Sequence, residues 1–122
     1  MILKTGIDII EIPRIQAALD RHAERFLKRV FTELEVFECR GRADALAVRF
    51  AAKEATSKAL GTGIGPISWQ EVETLHKWSG EPYLVLHGEA EKIAKELGLT
   101  VWAVSLSHSR ENGIAVVVAT SE

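Results

Sequence analysis

Two apolar rhythms divide the chain. Residues 2–10 are apolar and largely β-branched, and read as a strand ending near Asp8. Pro13 suits the first turn of a helix. Ile15, Leu19, Ala23, Phe26 and Val30 then recur at spacings of four, four, three and four, which is a helical period. His22 is the point at which this stretch would divide into two shorter helices. Thr32 and Glu35 have the spacing of a capping box, opening a helix through about Cys39. Asp44 is placed as the N-cap of the next helix, which runs to Leu60 and stops at Gly61.

The second half alternates faster. Residues 67–77 and 82–87 read as strands joined by a turn at Ser79-Gly80-Glu81, and residues 88–98 as a short helix with a glycine stop. Residues 99–107 and 113–120 are strongly apolar, and SRENG between them predicts a hairpin. Helices early and strands late predict an α+β fold with a mainly antiparallel sheet packed against helices. Its 122 residues fit one domain spanning the chain, with no repeats or linkers.

Composition narrows the function classes. Hydrophobic residues make up 47% and charged residues 26%, an ordinary globular balance. A chain this short builds only a modest core, so a second subunit would cover what stays exposed. A net charge of −2 argues against a general nucleic-acid binder. Lys4 and Asp8 interrupt the apolar N-terminus, which predicts neither a signal peptide nor a membrane span. Cys39 is the only cysteine, so no internal disulfide forms and a reducing, cytoplasmic setting is expected. His22, His76 and His87 share no zinc-ligand spacing. Trp69, Trp78 and Trp102 are expected to pack.

The chemistry concentrates in RFAAKEATSKALGTG, residues 49–63. Val48, Ala52, Ala55 and Ala59 fall on one side of this helix and allow close packing. Phe50, Glu54, Ser57, Lys58 and Gly61 form an adjacent stripe. Glu54 and Lys58, four apart, point the same way, which fits either a surface ion pair or a pair presented to a ligand. Asp8 ends an apolar strand, where a charge faces water, caps the next helix, or is paired or metal-bound. Were Asp8 and Glu54 to meet, they would form the hard oxygen site that suits Mg²⁺ beside phosphates.

GIDIIEIPRI (6–15), RFAAKEATSKALGTGIG (49–65), SGEP (79–82) and SLSHSRENGIAVVVA (105–119) occur in the order seen in the holo-acyl-carrier-protein synthases. The chain resembles these small phosphopantetheinyl transferases of bacterial fatty-acid synthesis over nearly its whole length. The resemblance implies transfer of 4′-phosphopantetheine from coenzyme A to a serine of apo acyl carrier protein, with release of adenosine 3′,5′-bisphosphate. It assigns Asp8 and Glu54 to Mg²⁺, and Lys58 to the phosphates. The serine proton would go to Glu54 or to a metal-bound water, a choice the residues leave open.

The resemblance further assigns Arg49, Gly61, Thr62, Gly63 and His108 to coenzyme A, with a looser match at Arg40 and Arg42. It implies a homotrimer with active sites between subunits, Asp8, Glu54 and Lys58 on one and His108 on its neighbour. Arg14 matches a carrier-docking position. If residues 14–28 form one helix, Arg14, Arg21, Arg25 and Lys28 share a sector of about 60° that would meet an acidic carrier. The alternatives are a non-catalytic coenzyme A or carrier-binding module, which would not need a carboxylate pair, and an oligomerisation domain from a larger synthase. A chain that begins at methionine and lacks linkers is expected to be complete, which argues against the latter.

Overall fold

The computed structural model describes residues 1–122. Strand β1 (Leu3–Glu11) leads directly into helix α1 (Ile12–Val30), with Pro13 in its first turn. Helices α2 (Glu33–Cys39) and α3 (Ala43–Leu60) follow, and α3 ends at Gly61 in the left-handed region, φ 80°. A 3₁₀ turn (Trp69–Glu71) precedes β2 (Val72–His76) and β3 (Pro82–Leu86). Helix α4 (Gly88–Glu96), β4 (Val101–His108) and β5 (Asn112–Thr120) complete the chain. All strand pairs are antiparallel, in a three-stranded sheet of order β1-β5-β4 and a separate two-stranded sheet β2-β3. The α+β expectation holds, with two sheets.

Alternation along the large sheet separates its faces. Gly6, Ile10, Ala115, Val117 and Ala119 point inward onto α3. The inner residues are small because α3 lies unusually close. A Cβ built on Gly6 would stand 1.8 Å from the carbonyl oxygen of Ala55, and one on Gly113 would stand 3.2 Å from Ala47 Cβ. Alanines 47, 51, 52, 55 and 59 supply the matching surface on the helix, and all are buried. Ile10, Ile15, Phe31, Cys39 and Leu46 extend this core, while Leu60, Ile67, Val72, Ala90 and Leu99 form a second one. The opposite face of the sheet leaves Leu3, Ile7, Ile9, Val101, Val116 and Val118 exposed.

Three local expectations change. Arg42, not Asp44, occupies the N-cap position of α3, and the Asp44 carboxylate in the first turn accepts a hydrogen bond from Arg42 Nε at 3.2 Å. The strand expected over 67–77 begins only at Val72, because Ser68 and Glu71 form a capping box that curls residues 69–71. Trp69 stacks on Phe50 with ring centroids 4.6 Å apart and Trp102 packs inside, but Trp78 at the β2–β3 tip is fully exposed. The break expected at His22 is present: this residue adopts non-helical dihedrals (φ −146°, ψ 48°) and kinks α1.

Candidate functional site

Asp8 and α3 meet at the edge of the large sheet. Asp8 lies on the inner face of β1, two residues beyond the glycine that brings the helix close. Helical geometry puts Glu54 and Lys58 on the flank of α3 nearest that strand. Lys58 does not pair with Glu54. Its ammonium instead donates to the Ile7 carbonyl at 2.8 Å and to Asp8 Oδ1 at 3.2 Å, so the surface i,i+4 reading fails. Asp8 is largely covered while Lys58 remains about half exposed, which leaves its ammonium open to an approaching ligand.

The electrostatics of Glu54 bear on the same point. Burial pushes its carboxyl above the usual carboxylate range, the Asp8 charge pushes it further, and Lys58 pulls partly back. Two carboxylates and one lysine leave an excess of negative charge at a partly covered position. The donor atoms are oxygens only, with no histidine or cysteine grouped with them. Such a set fits a hard divalent cation such as Mg²⁺, the remaining positions being left to substrate oxygens and water.

The glycine loop after α3 is organised differently from a phosphate cradle. Gly61 N–H donates to the Lys58 carbonyl, and the N–H groups of Thr62 and Gly63 donate to Ser57 O at 3.1 and 3.3 Å. These amides terminate the helix and are not free for an anion. Gly61 and Gly63 have positive φ and open space where a Cβ would stand, so the loop contributes room and not donors.

Arg49 and His108 lie apart from the Asp8 cluster. Arg49 is buried on the face of α3 that meets β2. Its guanidinium donates to Thr74 O, Ala45 O and Glu38 Oε1, the last at 2.7 Å, and contacts His76 Nδ1. His108, at the end of β4, is separated from Asp8 by β5, roughly 10 Å across two strand spacings. It shares an open basin of about 730 Å³ with Arg42, Arg110, Ser109 and Gln16, with Asp44 Oδ2 at 4.0 Å from Nε2. Arg110 was absent from the expected residues, although its position in the hairpin beside His108 was a visible signal. Arg40, Arg42 and Arg49 line a neighbouring recess with Phe37 and His76.

The basic series on α1 is exposed throughout, but the His22 kink interrupts it. Only Arg14 and Arg21 keep their common helical sector. Arg25 and Lys28 belong to the second segment, where Lys28 approaches Glu24 at 3.6 Å and borders a hollow floored by Leu27, Phe31 and Val36. The single 60° stripe is therefore corrected to two patches.

Residues 4–117 match the model of the 4′-phosphopantetheinyl transferase superfamily. A holo-[acyl-carrier-protein] synthase from Herpetosiphon aurantiacus is 49% identical, over 95% of this chain and 97% of its own length. Among solved structures, the Helicobacter pylori holo-[acyl-carrier-protein] synthase in complex with coenzyme A superposes with TM-score 0.87 at 32% identity, covering 95% of this chain and 99% of that one. The Bacillus anthracis enzyme in complex with CoA (3′,5′-ADP) gives TM-score 0.80 at 38% identity, over 98% and 96% of the two chains. With the expected motif residues gathered on β1 and α3, and with relatives matched end to end, the chain belongs to the 4′-phosphopantetheinyl transferase superfamily.

Proposed function

We propose that the protein transfers 4′-phosphopantetheine from coenzyme A to a serine hydroxyl of apo acyl carrier protein, with residues 1–122 acting as one transferase domain. The observation that carries this reading is the cluster of Asp8, Glu54 and Lys58, in which a half-exposed ammonium bonds Asp8 and both groups act electrostatically on the Glu54 carboxylate. The serine oxygen forms a bond to the phosphorus that carries pantetheine, and the bond to the departing adenosine 3′,5′-bisphosphate breaks. Asp8 and Glu54 would hold Mg²⁺, which when bound neutralises the diphosphate of coenzyme A. Lys58 places a further positive charge against the transferring phosphoryl oxygens. Glu54, whose carboxyl is held above the ordinary range, takes the serine proton.

The reading extends to assembly. Leu3, Ile7, Ile9, Val101, Val116 and Val118 form an apolar sheet face that a monomer would leave in water. Packing of these faces in a homotrimer would cover them. It would also bring the basin of His108, Arg42 and Arg110 on one subunit towards the Asp8 cluster of its neighbour, where coenzyme A phosphates need cations. The Arg40–Arg42–Arg49 recess then suits the adenosine end, and Gly61, Thr62 and Gly63 leave space for the diphosphate. Arg14 and Arg21 face outward for an acidic carrier, with Arg25 and Lys28 as a second patch. No helix is long and apolar enough to cross a membrane, and the cytoplasm is the proposed location.

The test is direct. The protein is mixed with apo acyl carrier protein, coenzyme A and Mg²⁺, and the carrier is weighed by mass spectrometry. A gain of one phosphopantetheine that disappears with Asp8→Asn is expected. An unmodified carrier under saturating conditions would refute the reading.

A further inference from the structure

Lys53 stands next to Glu54, yet its ammonium is completely buried. It donates to Glu35 Oε1 at 2.7 Å, Trp69 O at 3.0 Å and Val72 O at 2.5 Å, so its three protons meet three acceptors and none is left for a ligand. The ring of Phe31 lies 5.4 Å away. Glu35 is itself pinned: Oε1 accepts from Thr32 N at 3.0 Å, and Oε2 from Thr74 N at 3.0 Å. Burial lowers the Lys53 pKa, and the Glu35 charge opposes that shift. Four residues earlier, Arg49 ties the same face of α3 to Thr74.

A buried ion pair is a poor route to stability, since apolar side chains of similar volume often do as well. What it supplies here is direction. Three bonds to α2, the 3₁₀ turn and β2 fix both the height of α3 and its rotation about its own axis. Glu54 follows Lys53 by 100° of helical turn. Its carboxylate stands roughly 6 Å from the axis, so a rotation of about 10° moves it by ~1 Å. That distance separates a well-formed cation site from a poor one.

We propose that Lys53 is a positioning residue, whose three buried hydrogen bonds set the angle at which α3 presents Glu54 to Asp8. The role rests on the reading of Asp8 and Glu54 as the divalent-cation site, and the experiment separates the two. Mg²⁺ is titrated calorimetrically into wild type and Lys53→Met with coenzyme A present and no carrier, so no turnover occurs. Lys53→Met keeps an unbranched side chain only one atom shorter and removes its donors. The expected result is a cooperatively melting protein whose Mg²⁺ dissociation constant rises about tenfold. The KM for carrier at saturating Mg²⁺ should stay unchanged.

A Lys53→Met protein that melts lower but binds Mg²⁺ like wild type overturns the proposal, because loss of packing alone accounts for it. If Lys53→Met fails to fold, Glu35→Gln, which retains shape and weakens the anchor, is read by the same two outcomes. Asp8→Asn is titrated alongside. Weakened Mg²⁺ binding there, with none in Lys53→Met, removes the positioning role alone. Unchanged binding in Asp8→Asn removes the cation site and the proposal with it.

Discussion

Replacing Gly6 with alanine is expected to force α3 away from β1. The added Cβ would lie 1.8 Å from Ala55 O and 2.7 Å from Ala55 C, against a practical floor of 3.0 Å. The obstacle is helix backbone, which cannot swing aside as a flexible side chain would, so strand and helix must separate by about 1.2 Å. Overpacking of this kind costs about 1–3 kcal/mol, and a clash with main chain belongs at the upper end. For a chain of this size that corresponds to a fall in Tm of about 10 °C. Gly6 is an ordinary extended residue without positive φ. Alanine therefore brings no backbone strain, and its smaller unfolded-state entropy would by itself stabilise by about 0.4–1 kcal/mol.

The same displacement reaches the site, because Gly6 precedes Asp8 by two residues on one face of β1 and Ala55 adjoins Glu54. A misplacement near 1 Å is worth about 10²-fold in rate. Scanning calorimetry gives the first quantity, and single-turnover transfer at saturating coenzyme A, measured well below the melt, gives the second. A Tm at or above wild type refutes the packing argument. A lowered Tm with unchanged transfer rate and Mg²⁺ dependence refutes the link between helix spacing and the carboxylate pair.

Three further outcomes are expected. Glu54 has a folded-state pKa raised above its unfolded value of 4.5, so its ionised form costs the folded protein stability at neutral pH and nothing below the unfolded value. Metal-free Glu54→Gln should therefore melt higher than wild type at pH 7 while losing transfer, with the difference closing as pH falls through the raised pKa; a lower melt at pH 7 would contradict this. Ile7→Lys combined with Val116→Lys places charges at facing positions on the exposed apolar sheet face, and sedimentation should then show monomers with little activity. Intact trimers from that variant would put the interface elsewhere. Arg14→Glu should raise the KM for carrier far more than the KM for coenzyme A, with the wild-type carrier KM climbing with salt as screening grows; equal effects on both substrates would remove the docking role.

Much of this architecture was legible because local signals agreed with the packing. The Thr32–Glu35 box, Pro13, the Gly61 stop and the SRENG hairpin all form as expected. The 3₁₀ turn was legible too, since Ser68 and Glu71 have capping-box spacing, but the apolar residues around them suggested a continuous strand. Lys53 and Lys58 share one helix and one chemistry, and the sequence contains nothing that sends one wholly inward and the other outward. That division depends on Glu35 and the carbonyls of Trp69 and Val72, contributed by distant segments. The meaning of Gly6 was hidden for the same reason, because its need for no side chain comes from a helix some fifty residues away. The kink at His22 was anticipated as a place, but its effect on the basic stripe required the backbone.

Cys39, buried against α3, has a redox consequence. Burial raises its thiol to about 11, with Arg49 only partly offsetting the effect. At pH 7.5 the thiolate is then present in roughly three molecules in ten thousand, and it is the thiolate that attacks disulfides. Under the proposed activity, the substrate arrives with one free thiol and the modified carrier leaves with another, so oxidation would surround the protein with small and macromolecular disulfides. A solvent-facing cysteine of ordinary acidity would be captured by them. The only sulfhydryl of this chain is buried and almost wholly protonated, which slows its exchange with the oxidised forms of the molecules the protein would handle.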